Sequence, residues 1–482
     1  MIKSLEHRWQ ILFVAMIGTF MAALDSSIVN VSIPVLISKF NSSVHEVSWV
    51  VTAYMISFAV FMPLTAWLKD RIGNKKLYIY SLGIFTLGSL LCGMAPTLSF
   101  LTIARVIQAI GGGALTPTAM SLVAETFDSS ERGKALGYWG LGVVVGPALG
   151  PTIGGLLTEY LSWRWIFLVN IPVGIIGVLM SQKVLVKAPP RSTHPHRPMD
   201  WPGFILLGTF LSLFLYAVTM VENQATTASA LGLYFGASAF LLFLFVFVER
   251  KSHHPMIELG IFKNKVFTAC AFLTAARSAS LFGGVFLLPI LLHDVFGYSE
   301  TQIGLILLPG SAIIAIMMPI SGKFSDKSGA RLTTWLGLIL LSASMIAVSF
   351  ARPAHSLLDV SLALILRGFG LGLLISPIIA VTINSVSKEK VALASTLSSL
   401  IQQVGGAIGV ATLATFYEWK MSSNVQLLNA ETKTLSLLSL QHAFLLGSSM
   451  TLLALVPSFF LPKKRVQTTL PVSDQEIAAS LH

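Results

Sequence analysis

The sequence predicts an all-α membrane protein with fourteen transmembrane helices, built as two related six-helix halves with two helices inserted between them. Three observations predict this class: a succession of apolar windows of about 20 residues, an uneven distribution of Lys and Arg, and an internal repeat. Of the 482 residues, 54% are hydrophobic and 11% are charged. Soluble proteins carry about 25% charged residues, so the composition argues against a water-soluble fold, and its hydrophobicity argues against disorder.

The apolar windows follow one another with only short polar segments between them. Each must form a helix, because lipid offers no hydrogen-bond partner to free backbone groups. No polar segment is long enough for a soluble domain, and none carries a nucleotide-binding loop. The predicted spans are residues 10–31, 47–68, 76–95, 98–121, 134–158, 164–183, 202–221, 229–248, 266–292, 301–322, 332–351, 357–380, 391–416 and 440–461.

The positions of Lys and Arg predict the orientation of these spans. With a cytoplasmic N-terminus, the inner segments hold 24 of the 32 basic residues and the outer loops hold five. Basic residues concentrate on the cytoplasmic side of membrane proteins, so both termini are expected to be cytoplasmic. The same bias accounts for the net charge of +11 without any nucleic-acid partner.

An internal repeat divides the chain. Asp70 and Asp326 each follow a span within a similar polar stretch, 256 residues apart, and Arg105 and Arg367 lie within spans 262 residues apart. Gly-rich segments near residues 146–150 and 405–409 are offset by 259 residues. These offsets predict a six-helix half over residues 1–190, two inserted helices over 191–260, a second half over 261–465 and a cytoplasmic tail over 466–482. Two like halves around a midplane site are typical of alternating-access transporters.

Five segments carry a family resemblance. They are residues 24–34 (LDSSIVNVSIP), 66–76 (AWLKDRIGNKK), 105–113 (RVIQAIGGG), 142–155 (GVVVGPALGPTIGG) and 163–172 (WRWIFLVNIP). The aromatic residues and Arg164 of the last segment also suit an interfacial anchor. Together the five segments resemble the signature motifs of the fourteen-span drug:proton antiporters of the major facilitator superfamily. The resemblance covers nearly the whole chain and implies the major facilitator fold. It also implies a multi-pass protein of the plasma membrane (the inner membrane of a bacterium) that exports its substrate rather than taking it up.

The polar segment at residues 66–76 departs from the family motif at Ala66 and Asn74, where Gly and Arg are usual. The resemblance implies that Asp70, Arg71 and Gly73, with Asp326 in the second half, form a latch that holds the halves in one conformation. Asp70 can pair with Arg71 or with a helix N-terminus, and Gly73 permits a tight turn.

A stripe of glycines recurs every four residues in the fifth span, so a neighbouring helix can approach closely. Two prolines in the same span bend or stiffen it. The resemblance implies that this segment gates transport, while an ordinary packing seam is the alternative. The predicted seam consists of Gly142, Gly146, Pro147, Gly150, Pro151 and Gly154.

Asp25 is the only acid well inside a predicted span, and Arg105 is a basic residue in the same half. At 1.5 Å per residue, both lie about 8–10 Å from the outer boundary of a core about 30 Å thick. Ionisable residues in the membrane interior mark functional sites by default. We therefore expect the two side chains to form the proton-coupling site, with a permanent structural ion pair as the alternative.

Arg277 and Arg367 also lie within spans, and the sequence offers them no obvious acidic partner. They are expected to contact substrate or to serve structure. Three arginines against one aspartate within the spans disfavour multiply charged cations as substrates, and favour neutral, zwitterionic or weakly acidic amphipathic molecules.

These features favour a proton-coupled antiporter that exports amphipathic small molecules; an exporter dedicated to one metabolite, such as a siderophore or an amino-acid derivative, is the alternative. Neither a catalytic constellation nor a Cys-rich metal site is recognisable, so no enzymatic activity, metal or cofactor is expected. The expected partners are the substrate, protons and the bilayer, without nucleic acid. An adaptor or outer-membrane partner is not predictable from the sequence.

The charge distribution makes a topological prediction. A reporter domain that is active only in the cytoplasm should be active when it is fused after Arg197 and when it is fused after Val466. A periplasmic reporter active at either position would contradict the predicted topology.

Overall fold

The structure is a computed structural model that describes residues 2–127, 129–185, 198–221, 227–252, 255–351, 357–387, 390–428 and 432–463. All regular secondary structure in these ranges is helical. The α-helices are α1 (Ile2–Ile28), α2 (Ile33–Phe40), α3 (Val44–Phe61), α4 (Leu64–Gly93), α5 (Leu98–Thr126), α6 (Ser129–Tyr160), α7 (Trp165–Leu168), α8 (Asn170–Val184), α9 (Trp201–Met220), α10 (Ala228–Lys251), α11 (Lys265–Ile290), α12 (Glu300–Ser328), α13 (Ala330–Ser349), α14 (Leu357–Asn384), α15 (Val391–Leu428), α16 (Thr432–Leu453) and α17 (Leu455–Ser458). Short 3-10 turns at Val29–Ser32 and Leu259–Lys263 and a π-helical turn at Leu291–Val295 connect some of them.

The predicted all-helical membrane fold is confirmed. Within the described ranges, thirteen helical stretches are long and apolar enough to cross a membrane. The predicted span at residues 391–416 overlaps one of them, Leu393–Ser423, which begins two residues later. The predicted span at 134–158 lies within α6, which has 32 residues but is not among the thirteen. The side chains of α6 are described only in part, so the count of thirteen does not extend to this helix.

Two glycines with positive φ mark the repeat in the backbone. Gly73 (φ 76°, ψ 158°) interrupts α4 after its first turns, where the sequence predicts a tight turn. Gly329 (φ 88°, ψ 148°) separates α12 from α13, 256 residues later. A side chain at either position would be strained, because only glycine adopts this backbone conformation readily.

The two halves also share a helix-packing pattern. In the first half α1 packs against α6, where a Cβ on Gly146 would lie 2.8 Å from the backbone nitrogen of Leu24. In the second half α11 packs against α15, where a Cβ on Gly405 would lie 2.7 Å from the Cα of Ala275. At both places the backbones approach so closely that any side chain on the glycine would collide with them.

The inserted helices α9 and α10 pack against each other and flank the bundle. α9 also contacts α3 of the first half and α15 of the second. The Phe204 ring lies 5.3 Å from that of Phe61, and the Trp201 ring lies 6.2 Å from that of Trp67. Large apolar side chains of α10 are exposed, Leu233 at 69% and Phe243 at 63%, as expected for a helix that faces lipid.

Contacts between the halves join the helix ends that the charge distribution predicts to be extracellular, which we call the outer ends. Thr301 at the start of α12 donates its backbone N–H to Glu159 of α6 (2.9 Å). Thr152 Oγ1 donates to the Gly304 carbonyl oxygen (3.1 Å). Val44 at the start of α3 donates its N–H to Glu418 of α15 (2.6 Å). The halves are therefore sealed against each other at their outer ends in this conformation.

The outer seal predicts the effect of a single methyl group. A Cβ on Gly155 would lie 2.2 Å from the Glu300 carbonyl oxygen, so Gly155→Ala should force α6 and α12 apart. Pulsed EPR distances between spin labels at Leu161 and Leu305, both exposed, should lengthen. We expect the transport rate to fall at least about tenfold, because a misplacement of about 1 Å can cost two orders of magnitude.

The matched control is Gly83→Ala, because a Cβ at Gly83 has no heavy atom within 4 Å. That variant should keep the wild-type distances and rate. Equal distances and equal transport in Gly155→Ala and Gly83→Ala would show that the outer seal does not depend on this contact.

Candidate functional site

Asp25 of α1 is the centre of a buried polar network in the first half. Its side chain has no exposed surface. Oδ2 accepts a hydrogen bond from Arg105 Nη1 (2.5 Å), and Oδ1 accepts from Gln108 Nε2 (2.8 Å) and Asn170 Nδ2 (3.1 Å). The partners belong to α5 and α8, so one carboxylate links three helices. The structure thus brings together Asp25 and Arg105, which the sequence places at one depth.

Arg105 has further partners that compensate the burial of its charge. Its Nε donates to the Val50 carbonyl oxygen (3.3 Å), and its Nη1 also donates to Gln108 Oε1 (2.7 Å). The guanidinium carbon lies 3.9 Å from the centre of the Tyr54 ring, within the range of a cation–π interaction. Buried ion pairs are tolerated only when such additional bonds offset the loss of hydration.

Local helix geometry explains why these side chains meet. Arg105 and Gln108 are three residues apart on α5, so they share one helix face. Gln108 is held in place by Ser89 of α4, whose Oγ accepts from Nε2 (2.7 Å). Gly88 makes this possible, because a Cβ there would lie 2.5 Å from the Gln108 Cα. A larger residue at this position would separate α4 from α5 and withdraw Gln108 from the carboxylate.

The network is matched to an ionised carboxylate. All of the donors to Asp25 are N–H groups, and each carboxylate oxygen accepts at least one of them. A protonated acid carries its own donor and would leave some of these groups without an acceptor. A proton on Asp25 would therefore loosen the connection between α1, α5 and α8.

Sequence reasoning missed three members of the network. Asn170 belongs to the stretch at residues 163–172, which aromatic residues and Arg164 mark as an interfacial anchor; an amide in an apolar segment was the available signal. Gln108 is part of a recognised motif but was given no role of its own. Tyr54 offers no sequence signal, since aromatic residues are common in membrane helices.

The predicted latch residues lie apart from this network. Asp70 and Arg71 are exposed, and the Arg71 guanidinium lies 4.5 Å from the centre of the Trp67 ring. Within the described residues, no ion pair joins Asp70 to Arg71. The Asp326 side chain lies outside the described residues, although its backbone belongs to α12.

A carboxylate of the same half holds the polar segment between the second and third spans. Glu125 at the inner end of α5 accepts from Asn74 Nδ2 (2.6 Å) and pairs with Lys69 Nζ (2.8 Å). Asn74 stands where the family motif has Arg. The segment is thus attached to its own half in this conformation.

The predicted glycine seam packs against α1 of its own half. A Cβ on any of its four glycines would contact α1, within 3.0 Å at three of them; these glycines are Gly142, Gly146, Gly150 and Gly154. The two prolines behave differently: Pro147 is exposed, whereas Pro151 is buried. A Cβ on Gly304 of α12 would lie 2.5 Å from the Pro151 carbonyl oxygen. α6 therefore lies between α1 and the second half.

Arg277 and Arg367 are buried in the second half, 4% and 8% exposed. Arg277 Nη2 donates to Gln402 Oε1 (3.2 Å), and Arg367 Nη2 donates to the Leu281 carbonyl oxygen (2.7 Å). The Nε of each arginine is buried without a hydrogen-bond partner. In the described part of the chain, neither forms an ion pair with a carboxylate.

About a third of the aligned residues are identical in several named relatives. "Uncharacterized MFS-type transporter YhcA" of Bacillus subtilis is 33% identical over 68% of this chain and 61% of that protein. "Riboflavin transporter RibZ" of Clostridioides difficile is 34% identical over 68% of this chain and 70% of that protein. "Multidrug export protein EmrB" of Escherichia coli K12 is 31% identical over 83% of this chain and 78% of that protein.

The fold has solved counterparts. A bacterial homologue of the human lysosomal transporter Spinster, crystallised in an inward-facing and unoccupied conformation, matches with a TM-score of 0.70 over 94% of this chain and 96% of that one. Its sequence identity is 16%, so the match concerns the fold alone. The family model of the Major Facilitator Superfamily matches residues 15–410. The chain belongs to the Major Facilitator Superfamily of membrane transporters, and the resemblance seen in its sequence motifs is confirmed.

Proposed function

We propose that this transporter is a proton-coupled antiporter that exports amphipathic small molecules by alternating access from the inner membrane of a bacterium, with both termini in the cytoplasm. The observation that carries the proposal is the buried Asp25–Arg105 pair, whose carboxylate joins α1, α5 and α8. The name of the relative EmrB, a multidrug export protein, supports the substrate class.

Asp25 is suited to couple protons to a conformational change. Its carboxylate has no exposed surface in the outer-sealed conformation, so a proton can reach it only when the surrounding helices move. Protonation removes the negative charge that holds Arg105, Gln108 and Asn170 together. The helices can then rearrange, and the return of Arg105 to Asp25 expels the proton on the other side.

The glycine seam supplies a mechanical connection from Asp25 to the second half. Gly146 of α6 packs directly on Ala23 and Leu24, the two residues before Asp25. Farther along, α6 meets α12 through Thr152 and Gly155. A displacement of α1 at Asp25 would therefore move α6 and act on the outer seal. We propose that this is how the seam gates transport.

The latch residues complete the cycle in this proposal. Asp70, Arg71 and Gly73 form a polar segment that is attached to its own half through Glu125 while the outer ends are sealed. In the opposite conformation the inner ends of the halves approach each other. Asp70 and Asp326 would then have partners across the interface and stabilise that state.

Two substitutions test the coupling role of Asp25. Asp25→Asn should abolish proton-driven export while sparing substrate binding, because the amide keeps the shape and loses the titratable group. Arg105→Gln removes the positive charge that favours the carboxylate. The profile of export rate against pH should therefore shift upward. The measurement is export into inverted vesicles over a range of pH.

Arg164→Gln is the matched control, since Arg164 donates to the Ala95 carbonyl oxygen at the interface and takes no part in the network. Its pH profile should coincide with that of the wild type. Full proton-driven export by Asp25→Asn would remove Asp25 as the coupling residue, and an unshifted profile in Arg105→Gln would remove the pairing.

Two glycines of the same stripe, Gly146 and Gly142, provide a test of whether the seam gates transport. A Cβ on Gly146 would lie 2.8 Å from the Leu24 nitrogen, whereas a Cβ on Gly142 would have its nearest neighbour at 3.6 Å. Gly146→Ala should reduce coupled transport about tenfold or more and leak protons, and Gly142→Ala should behave like the wild type. Equal coupled rates in the two variants, at equal amounts of folded protein, would contradict gating by the seam.

A transporter dedicated to one metabolite is the second candidate, and the name of the relative RibZ, a riboflavin transporter, favours it. Proton release from purified protein separates the two. Release on addition of several unrelated amphipathic compounds supports multidrug export. Release with a single compound, riboflavin or another metabolite, supports the dedicated exporter.

A further inference from the structure

The second half carries a counterpart of the Asp25 site in which the charge is reversed. The packing of α1 on α6 and of α11 on α15 defines the correspondence. In the first half Gly146 packs on Ala23, and Gly150 packs on Ser27. In the second half Gly405 packs on Ala275, and Gly409 packs on Ala279. Both pairs give an offset of 252 residues between α1 and α11 (275 − 23 and 279 − 27). Asp25 therefore corresponds to Arg277.

The partner helices can be aligned in the same way. Gly111 of α5 packs on the backbone of Ser81 and Phe85, and Gly370 of α14 packs on that of Gly337 and Leu341. The offset between α5 and α14 is thus 259 residues (370 − 111). This is three fewer than the 262 residues that separate Arg105 from Arg367 in the sequence. In this register Arg367 corresponds to Gln108, the residue that donates to Asp25, and not to Arg105.

A pair of cations therefore occupies the place of an acid and its amide donor. In the first half Gln108 reaches Asp25. In the second half the corresponding residue, Arg367, bonds instead to the Leu281 carbonyl oxygen, one helical turn beyond Arg277. Each arginine makes one described side-chain hydrogen bond through Nη2 and has a buried, unpartnered Nε. An uncompensated charge in this environment is costly, so the site favours an anion.

Gly284 brings the backbone of α11 close to the Arg367 guanidinium. A Cβ on this glycine would lie 3.6 Å from Arg367 Nη2 and 3.8 Å from its Cζ. Among the described residues, the one atom closer than these is the methyl carbon of Met345, at 3.0 Å, which is the flexible end of an unbranched side chain. Gly284 lies seven residues after Arg277, so both lie on one face of α11, about 10 Å apart along the axis.

We propose that Arg277 and Arg367 form a subsite for the anionic group of a transported molecule, the carboxylate of an amphipathic acid. This inference rests on the proposed export function. A guanidinium presents its N–H groups in a planar fork that matches a carboxylate. Gln402 lies one turn of α15 from Gly406, whose Cβ position contacts Met55 of the first half. A molecule bound here would thus be close to the interface between the halves.

A matched pair of probes measures the subsite directly. Pyrenebutyrate and pyrenebutanol share a ring and a chain and differ in charge. The purified full-length protein in lipid nanodiscs should bind the carboxylate about tenfold or more tightly than the alcohol, because hydrogen bonds between two charged groups are stronger than those to a neutral hydroxyl. The measurement is fluorescence anisotropy, and no proton gradient is needed.

Gly284→Asp places a carboxylate of the protein opposite Arg367, so the preference for pyrenebutyrate should disappear. Gly284→Asn has nearly the same shape without the charge and should keep the preference. Arg367→Gln is a second route to the same loss, with unchanged pyrenebutanol affinity as the evidence of folding. A wild type without the preference, or equal preference in the Asp and Asn variants, would overturn the proposal.

An inorganic anion could supply the same chemistry, so the titrations are repeated with chloride in place of gluconate. Weaker pyrenebutyrate binding in chloride, in the wild type but not in Gly284→Asp, supports the subsite and makes chloride a competitor. Chloride binding without any carboxylate preference in gluconate overturns the assignment to an organic acid. If the protein shows the carboxylate preference but no proton-coupled export, only the proposed function is contradicted. If it shows proton-coupled export but no carboxylate preference, only this inference is contradicted.

Discussion

The ion pair between Asp25 and Arg105 is the constraint on which the first half is built. Both side chains are almost completely buried, so each charge must be compensated by groups of the protein. The requirement fixes the amides of Gln108 and Asn170 toward the carboxylate and the Tyr54 ring over the guanidinium. It also fixes the relative positions of α1, α5 and α8, whose side chains converge on the pair.

In the proposed mechanism, close backbone contacts at glycines transmit the state of this pair. Where α1 meets α6, and α6 meets α12, no side chain separates the two backbones. Such seams resist deformation, because interiors pack densely and have few voids into which a helix can move. Helices joined in this way move as units. A local change of charge at Asp25 can then alter the contact between the halves at the outer ends.

The two halves share a packing register but not a chemistry. The first half holds an acid with amide and guanidinium donors; the second holds Arg277 and Arg367 at the corresponding positions, with Gly284 beside Arg367. A repeat duplicates the backbone geometry and leaves each half free to specialise its buried polar groups. In the proposed mechanism the first half handles the proton and the second half recognises an anionic group.

The sequence by itself determined the membrane class, the superfamily, the succession of spans and the common depth of Asp25 and Arg105, since hydropathy, motifs and rise per residue are properties of single segments. It also located the turn at Gly73. Only the tertiary structure decided which side chains complete the site, because Arg105 and Asn170 lie 80 and 145 residues from Asp25. It likewise decided that the glycine stripe faces α1, and that Arg367 corresponds to Gln108. Two registers that differ by three residues differ by nearly one helical turn. The sequence offsets do not decide between them, whereas the backbone contacts between helices do.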